Sequence, residues 1–211
     1  MPRDKFNDLK IKRLLGNLKK RGMNGYYCKN TDELVETAMR LCEDANTISY
    51  GGSMTLVESG IKDMLATMPG KDFLDRDLCN TPEEKDELYR KVFSSDLYFM
   101  STNAISEDGI LVNIDGVGNR VAALVFGPKK VVIIAGVNKI ASTLDEAILR
   151  ARTKAAPINV MRLGFNTPCQ TTGQCANCLS PECICNQIVV TRRSADPDRI
   201  HVILVGEEYG Y

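Results

Sequence analysis

The sequence predicts an α/β protein, a mainly parallel sheet flanked by helices. Three observations carry this. Short β-branched or aromatic runs alternate with segments of helical period through the middle of the chain, the order that builds a parallel sheet covered by helices. The run VVIIA at 131–135 is apolar throughout, as a strand buried on both faces must be. Capping signals such as Thr81-Pro82-Glu83-Glu84 open the helices between the strands.

The elements follow in order. Residues 4–21 carry Ile11, Leu14, Leu15 and Leu18 at helical spacing, and Gly22, Asn24 and Gly25 stop that helix. Thr31 is the expected N-cap of a second helix, to about Cys42. A strand at 47–50 runs into Gly51-Gly52-Ser53, and a helical pattern covers 55–68. A short strand is expected at 72–75, then a helix from Thr81 to about Phe93. Strands follow at 96–100 and 110–114, with a polar turn between them. A helix over 119–126 ends at Gly127-Pro128 and leads to the strand 131–135. Thr143-Leu144-Asp145-Glu146 opens a helix to about Ala155 that continues past Pro157. The last strands, 188–191 and 201–205, are separated by a turn-rich segment and are expected as an edge hairpin.

The 211 residues suffice for one sizeable core. Lys plus Arg (27) equals Asp plus Glu (27), so the basic excess of a nucleic-acid binder is absent. The stretch Lys10, Lys12, Arg13, Lys19, Lys20 and Arg21 interleaves with leucines and reads as a solvated helix face. MPRDKFNDLK has no apolar run of a secretory leader, and the longest apolar run, 131–137, is far short of a membrane span. The expectation is a cytoplasmic protein with reduced thiols and no membrane or nucleic-acid partner. The single histidine, His201, rules out a His-rich metal centre. It heads the last strand and is expected as an exposed or edge histidine rather than a base.

Five of the eight cysteines fall in TPCQTTGQCANCLSPECICN: Cys169, Cys175, Cys178, Cys183 and Cys185. In a reducing compartment such a cluster is a metal or redox site rather than a disulfide framework. Four thiolates suit tetrahedral Zn²⁺ or an iron–sulfur cluster. Cys175-x-x-Cys178 is a chelating knuckle, although the overall spacing departs from the common ferredoxin run. A structural zinc contributes about 10–16 kcal/mol in small peptides, a disulfide about 2–4 kcal/mol. A metal therefore holds this apolar-poor loop more strongly. A redox-active thiol pair and inert thiols are the alternatives. Cys42 reads as a small core residue, Cys28 and Cys79 as isolated loop or edge thiols.

A second candidate site lies at the predicted strand ends. Gly51-Gly52-Ser53-Met54-Thr55 joins a strand to a helix, where backbone N–H groups and the hydroxyls of Ser53 and Thr55 suit an anion. Asn103, Asn113, Asp115, Gly116, Gly118, Asn119, Asn138 and Lys139 fall at or just past other strand ends, where open parallel sheets bind ligands. Arg120 and Lys139 are the candidate cations for an acidic ligand, and Glu107 and Asp115 the candidate acid–base pair. Glu58, one turn into the following helix, is also within reach. Loops are rich in such residues for purely conformational reasons, so an ordinary set of turns is the competing reading.

GGSMTLVESGI, SEDGILVNIDGVGNRVAALVFGPKKVVIIAGVNKI and the cysteine segment together resemble the bacterial lactate-utilisation (LUD) domain family, from about residue 4 to residue 211. The resemblance implies the ribose-5-phosphate isomerase/CoA-transferase-like fold. It implies a LUD α/β domain with an N-terminal helix at 1–165, a cysteine-rich loop at 166–186, and terminal strands at 187–211. It implies that the glycine corner and its neighbours line or brace one pocket for a small anionic metabolite. Some members act in oxidising L-lactate to pyruvate beside iron–sulfur subunits, which makes such redox subunits expected partners. Short cysteine-tailed members resemble C-x5-C-x2-C-x6-C-N, which falls on Cys169, Cys175, Cys178 and Cys185. Cys183 departs from it and is an alternative ligand for iron–sulfur or zinc. A homodimer is a further expectation from the fold. The reaction itself does not transfer with the fold. An enzyme or binding protein for a phosphorylated, carboxylated or CoA-like metabolite, with purely structural cysteines, is the second reading.

Overall fold

A computed structural model describes residues 2–211. Helix α1 (Pro2–Lys20) buries Ile11, Leu14 and Leu18. Strand β1 (Asn24–Cys28) follows directly. It lies within a stretch read above as the stop of α1, because Asn-Gly looks like a turn until a neighbouring strand pairs with it. Helix α2 (Thr31–Cys42) is capped by Asn30, whose Oδ1 accepts from Glu33 N at 3.1 Å, rather than by Thr31. After β2 (Thr47–Tyr50), the pattern expected as one helix splits into α3 (Met54–Glu58) and α4 (Ile61–Ala66). The break is Gly60, whose φ of 71° no helix interior tolerates.

Strand β3 (Asp72–Leu74) leads to α5 (Pro82–Val92), where Thr81 and Glu84 form a reciprocal capping box. Then come β4 (Leu97–Ser101), β5 (Ala104–Ser106), β6 (Leu111–Asp115), α6 (Asn119–Val125) and β7 (Lys130–Gly136). The two-residue β8 (Ile140–Ala141) precedes α7 (Leu144–Arg150). A π-helical turn over Ala151–Ala155 joins α7 to α8 (Ala156–Leu163). Pro157 cannot donate a backbone hydrogen bond, and the wider turn just before it accommodates that loss. The short α9 (Pro168–Thr172), β9 (Gln187–Thr191) and β10 (Ile200–Val205) complete the chain.

Six strands form a fully parallel sheet in the order β1-β10-β7-β4-β2-β3. Its side chains alternate between two cores. Tyr98, Met100, Val131, Ile133, Val202 and Leu204 pack with α1 and α6 on one face. Leu97, Phe99, Val132, Ile134, Ile203 and Val205 pack with α2, α3 and α4 on the other. The predicted α/β class is therefore the observed one. A second sheet, β8-β5-β6-β9, is antiparallel except for β5·β8. It packs with α7 and α8 through Ala104, Val112, Ile114, Ala147, Ala151 and Ala156.

Three expectations are corrected. The last two strands are not a hairpin: β9 joins the second sheet, and β10 sits inside the main sheet between β1 and β7. All six residues of β10 are buried, whereas β9 is half exposed, so their burial demands send them to different places. His201 is consequently buried, stacked on Tyr26, with Nε2 to Asp198 O at 2.9 Å and Nδ1 to Tyr26 Oη at 3.0 Å. Cys28 does lie on the edge strand β1, but it is a buried core thiol that donates to Glu33 O rather than an isolated one. No described helix is long and apolar enough to cross a membrane.

Candidate functional site

Strands β2, β4 and β7 are parallel, so their carboxyl ends share one edge of the main sheet. This gathers Gly51–Ser53 (after β2), Asn103 (after β4), and Asn138 and Lys139 (after β7). Asp115 ends β6 in the other sheet and joins the group through Arg120. The Arg120 guanidinium donates from Nη1 to Ser101 O (3.2 Å) and Asn113 Oδ1 (3.1 Å). From Nη2 it donates to Asn103 Oδ1 (3.3 Å) and Ile114 O (2.6 Å). Its Nε lies 3.3 Å from Asp115 Oδ2. All three nitrogens are thus engaged by the protein, and the residue clamps the end of β6 onto the end of β4. The other oxygen of Asp115 accepts from Val117 N and Gly118 N, shaping the turn through Gly116 into α6, whose first residue is Asn119. Asn113 is fully buried, and its Nδ2 has no hydrogen-bond partner among the described residues.

The glycine corner is pressed from both sides. A Cβ on Gly51 would stand 2.6 Å from Tyr98 Oη, and one on Gly52 would stand 2.6 Å from Arg76 Nη2. Arg76 is a cation at this corner that sequence reasoning does not reach, since it enters from the segment after β3. Ser53 is the N-cap of α3 but makes no side-chain cap bond.

Lys139 is the most unusual group. It is only 3 % exposed. Its Nζ donates to Thr55 Oγ1 at 2.7 Å and Ser101 Oγ at 2.9 Å. Among the described residues no carboxylate lies within ion-pair distance of it. Burial, reinforced by the charges of Arg150 and Arg120, pushes its pKa down to about 7. Arg150 reaches the same region, donating to Asn138 O (3.0 Å) and Asn103 O (2.5 Å), while its buried Nη2 has no partner among the described residues.

Segment 207–211 lies across this group. Asn138 Nδ2 donates to Tyr209 O (3.3 Å) and Gly210 O (3.1 Å), and Gly210 N donates to Glu58 Oε2 (2.6 Å). A Cβ on Gly210 would stand 2.8 Å from Thr55 Oγ1 and 3.4 Å from Lys139 Nζ. The close approach needs Gly136, where a Cβ would collide with Glu207 O at 2.6 Å. Nothing in EEYGY announces this cover, which arises only when β10 delivers the segment to the sheet edge.

Glu107 is placed elsewhere. Its carboxylate binds Arg13 and, at 3.1 Å, Lys10, both on α1. Burial works against the charge, but these partners outweigh it and hold the carboxyl below its ordinary value. The structure does not bring it to Lys139 or the glycine corner.

The cysteine loop forms a separate feature. Cys169, Cys175, Cys178, Cys183 and Cys185 all line one cavity of about 120 Å³, with Ala156 and Val160 of α8 and Ile188 of β9 among its other walls. Arg152 of the π-turn donates to Asn177 Oδ1 (2.7 Å), and Asn186 Nδ2 ties the loop to Gly116 O (2.9 Å). Burial, together with Cys183, Cys175 and Cys169, raises the Cys185 thiol pKa, while hydrogen bonds with Ser180 lower that of Cys178. As placed, no three His, Cys, Asp or Glu side chains among the described residues form a metal-holding group. The thiols share a cavity without forming a ligand shell.

The family model for the LUD domain matches residues 11–205. No curated protein matches the chain. Among solved structures, a DUF162 family protein from Deinococcus radiodurans superposes with a TM-score of 0.56 at 11 % identity, covering 94 % of this chain and 98 % of that one. That likeness bears on the fold alone. The delta subunit of eIF2B from Chaetomium thermophilum (TM-score 0.36, 20 % identity, 57 % of this chain and 51 % of that one) is a weaker match. So is a chain of the eIF2B beta–delta tetramer from C. thermophilum (0.40, 18 %, 82 % and 55 %), and neither supports an argument. Because the family model spans nearly the whole of both sheets, the chain belongs to the LUD domain family.

Proposed function

We propose that this protein serves lactate-type hydroxyacid utilisation, or the electron transfer coupled to it. In this reading the cysteine loop holds a soft metal centre and the strand ends take a small anionic metabolite. One observation carries the metal: five thiols from a 17-residue span, Cys169 to Cys185, face a single cavity. The donor set fits. It is all sulfur, with no carboxylate or imidazole in the cavity wall, and thiolate sites select zinc or iron–sulfur clusters. Cys169, Cys175, Cys178 and Cys185 would hold the centre, with Cys183 as the alternative. A cluster would supply one-electron transfer, and iron–sulfur redox subunits, with a second copy of the chain, are the expected partners. A cytoplasmic location, where thiols stay reduced, belongs to the same reading.

The second reading makes the cysteines structural and the strand-end site primary, for a phosphorylated, carboxylated or CoA-like metabolite. The partnerless Nη2 of Arg150 beside Lys139 favours an acidic ligand there. Metal and acid-labile sulfide, assayed with an absorbance spectrum on protein purified without air, separate the two. Iron with equivalent sulfide supports the electron-transfer reading. Stoichiometric zinc moves the weight to the strand-end site, and absence of both metals sinks the metal proposal.

A further inference from the structure

The strand-end group contains a lysine in the wrong surroundings for a permanent cation. An ammonium removed from water normally takes a carboxylate partner. Lys139 has two neutral hydroxyls instead, Thr55 Oγ1 and Ser101 Oγ. The neighbouring charges that act on it most strongly are cationic, Arg150 and Arg120. Glu58, the acid nearest in effect, already accepts from the backbone of Gly210. These surroundings favour a free amine, and a desolvated amine is the form of lysine that attacks carbonyl carbon.

The ligand's other end is specified by Arg150. Two of its nitrogens are held by carbonyl oxygens, and Nη2 is buried without an acceptor. A buried donor left unpaired is costly, and a carboxylate oxygen is the acceptor a guanidinium prefers. Water is kept from the amine by the backbone of Tyr209–Gly210, which spans from Asn138 to Glu58.

We propose that Lys139 is a nucleophilic amine for a small 2-oxo carboxylate, with Arg150 receiving the carboxylate and segment 207–211 closing over the site. This rests on the strand-end anion site proposed above and gives it a substrate class and a chemistry. The lone pair of Lys139 Nζ adds to the carbonyl carbon, forming the C–N bond. The carbonyl oxygen takes a proton from that nitrogen, relayed by the Ser101 or Thr55 hydroxyl, to give a carbinolamine. Loss of water leaves the C=N imine, so one carbonyl and one amine give one imine and one water, with no oxidant or reductant consumed. The strap must lift to admit the ligand, and its anchor on Glu58 is a single hydrogen bond.

The test is reductive trapping on the full chain. Protein is incubated with glyoxylate and cyanoborohydride, which fixes an imine as an N-carboxymethyl group, and peptide mapping locates it. Lys139 should be labelled at least tenfold faster than the mean of the exposed lysines, and Glu58→Ala, by loosening the strap, should speed it further. Lys139→Met should remove that label only, with circular dichroism reporting its fold. Lys139 unlabelled in both wild type and Glu58→Ala, while surface lysines react, overturns the amine. A parallel melt with oxalate, which carries carboxylates but no ketone or aldehyde, separates the two layers. Stabilisation without labelling keeps the anion site and rejects the amine. Neither stabilisation nor labelling rejects both.

Discussion

Replacing Arg120 with methionine tests whether this residue is a clamp or a ligand-binding cation. Methionine keeps most of the aliphatic stem and removes the guanidinium. The side chain is only 14 % exposed, and Asp115 opposite it is 8 % exposed. Four hydrogen bonds and one ion pair disappear. Counted singly, charged hydrogen bonds of roughly 1.5–3 kcal/mol each would sum to far too much. They are not independent, and the guanidinium also recovers its own hydration cost. Breaking one side of a buried pair costs about 3–5 kcal/mol, and the low half of that range applies because Asp115 retains its bonds from Val117 N and Gly118 N. With a urea slope of about 2–3 kcal/mol/M, the unfolding midpoint should fall by roughly 1–2 M. Arg120→Lys should recover only part, because a point charge cannot reach both sheets as the planar fork does. A midpoint within about 0.3 M of wild type would refute the clamp and return Arg120 to the role of a free cation.

Two further outcomes concern single residues, the partly exposed Asp96 and the buried His201. Asp96 Oδ2 accepts from Asn46 N, Thr47 N and Thr47 Oγ1, while Oδ1 takes Lys129 Nζ, so Asp96→Ala should cost about 2–4 kcal/mol in urea unfolding at neutral pH. The Lys129 bond first, then the backbone donors, hold this carboxyl far below its ordinary value. Its contribution is therefore complete above the unfolded pKa of about 3.9 and is lost as pH falls through the lower folded value, so wild type and variant should converge in acid. Burial depresses the His201 pKa, and stability should be complete above about pH 6.5 and decline as pH drops through the folded value. A His201→Leu variant should show a flatter melting temperature between pH 7 and 5. An equal decline in both would assign it to other groups.

What was legible in the sequence follows from which features are local. The all-apolar run of β7 and the Thr81–Glu84 capping box signal themselves within a few residues, and both appear where expected. β1 and β5 escaped because NGYYC and AIS are too short to show a period, and their strand character comes from the neighbours that pair with them. The hairpin expectation failed at a higher level. The spacing of β9 and β10 suits a turn, but β10 has no polar face to leave in water. At the site, Thr55, Asn138 and Lys139 could be named because strand ends are predictable places. Arg76, Arg150 and segment 207–211 could not, since each arrives from a distant element and is chosen by geometry alone.

The π-turn between α7 and α8 has a consequence for the thiol cavity. Buried residues along this helix pair are Ala147, Ala151, Ala155, Ala156, Pro157 and Val160; the run 147, 151, 155 steps by four, and the run 156, 160 resumes that step one residue later. An α-helix advances about 100° per residue, so the extra residue acts as a phase shift in a rotating pattern. It returns the small apolar stripe to the same bearing after Pro157. A chain one residue shorter here would turn everything beyond it by about a quarter-circle. Ala156 and Val160 would then swing off the cavity wall, and Pro157 and Met161 would take their bearing. The bearing of α8, and with it the shape of the chamber that the five cysteines face, is set by a single inserted peptide unit.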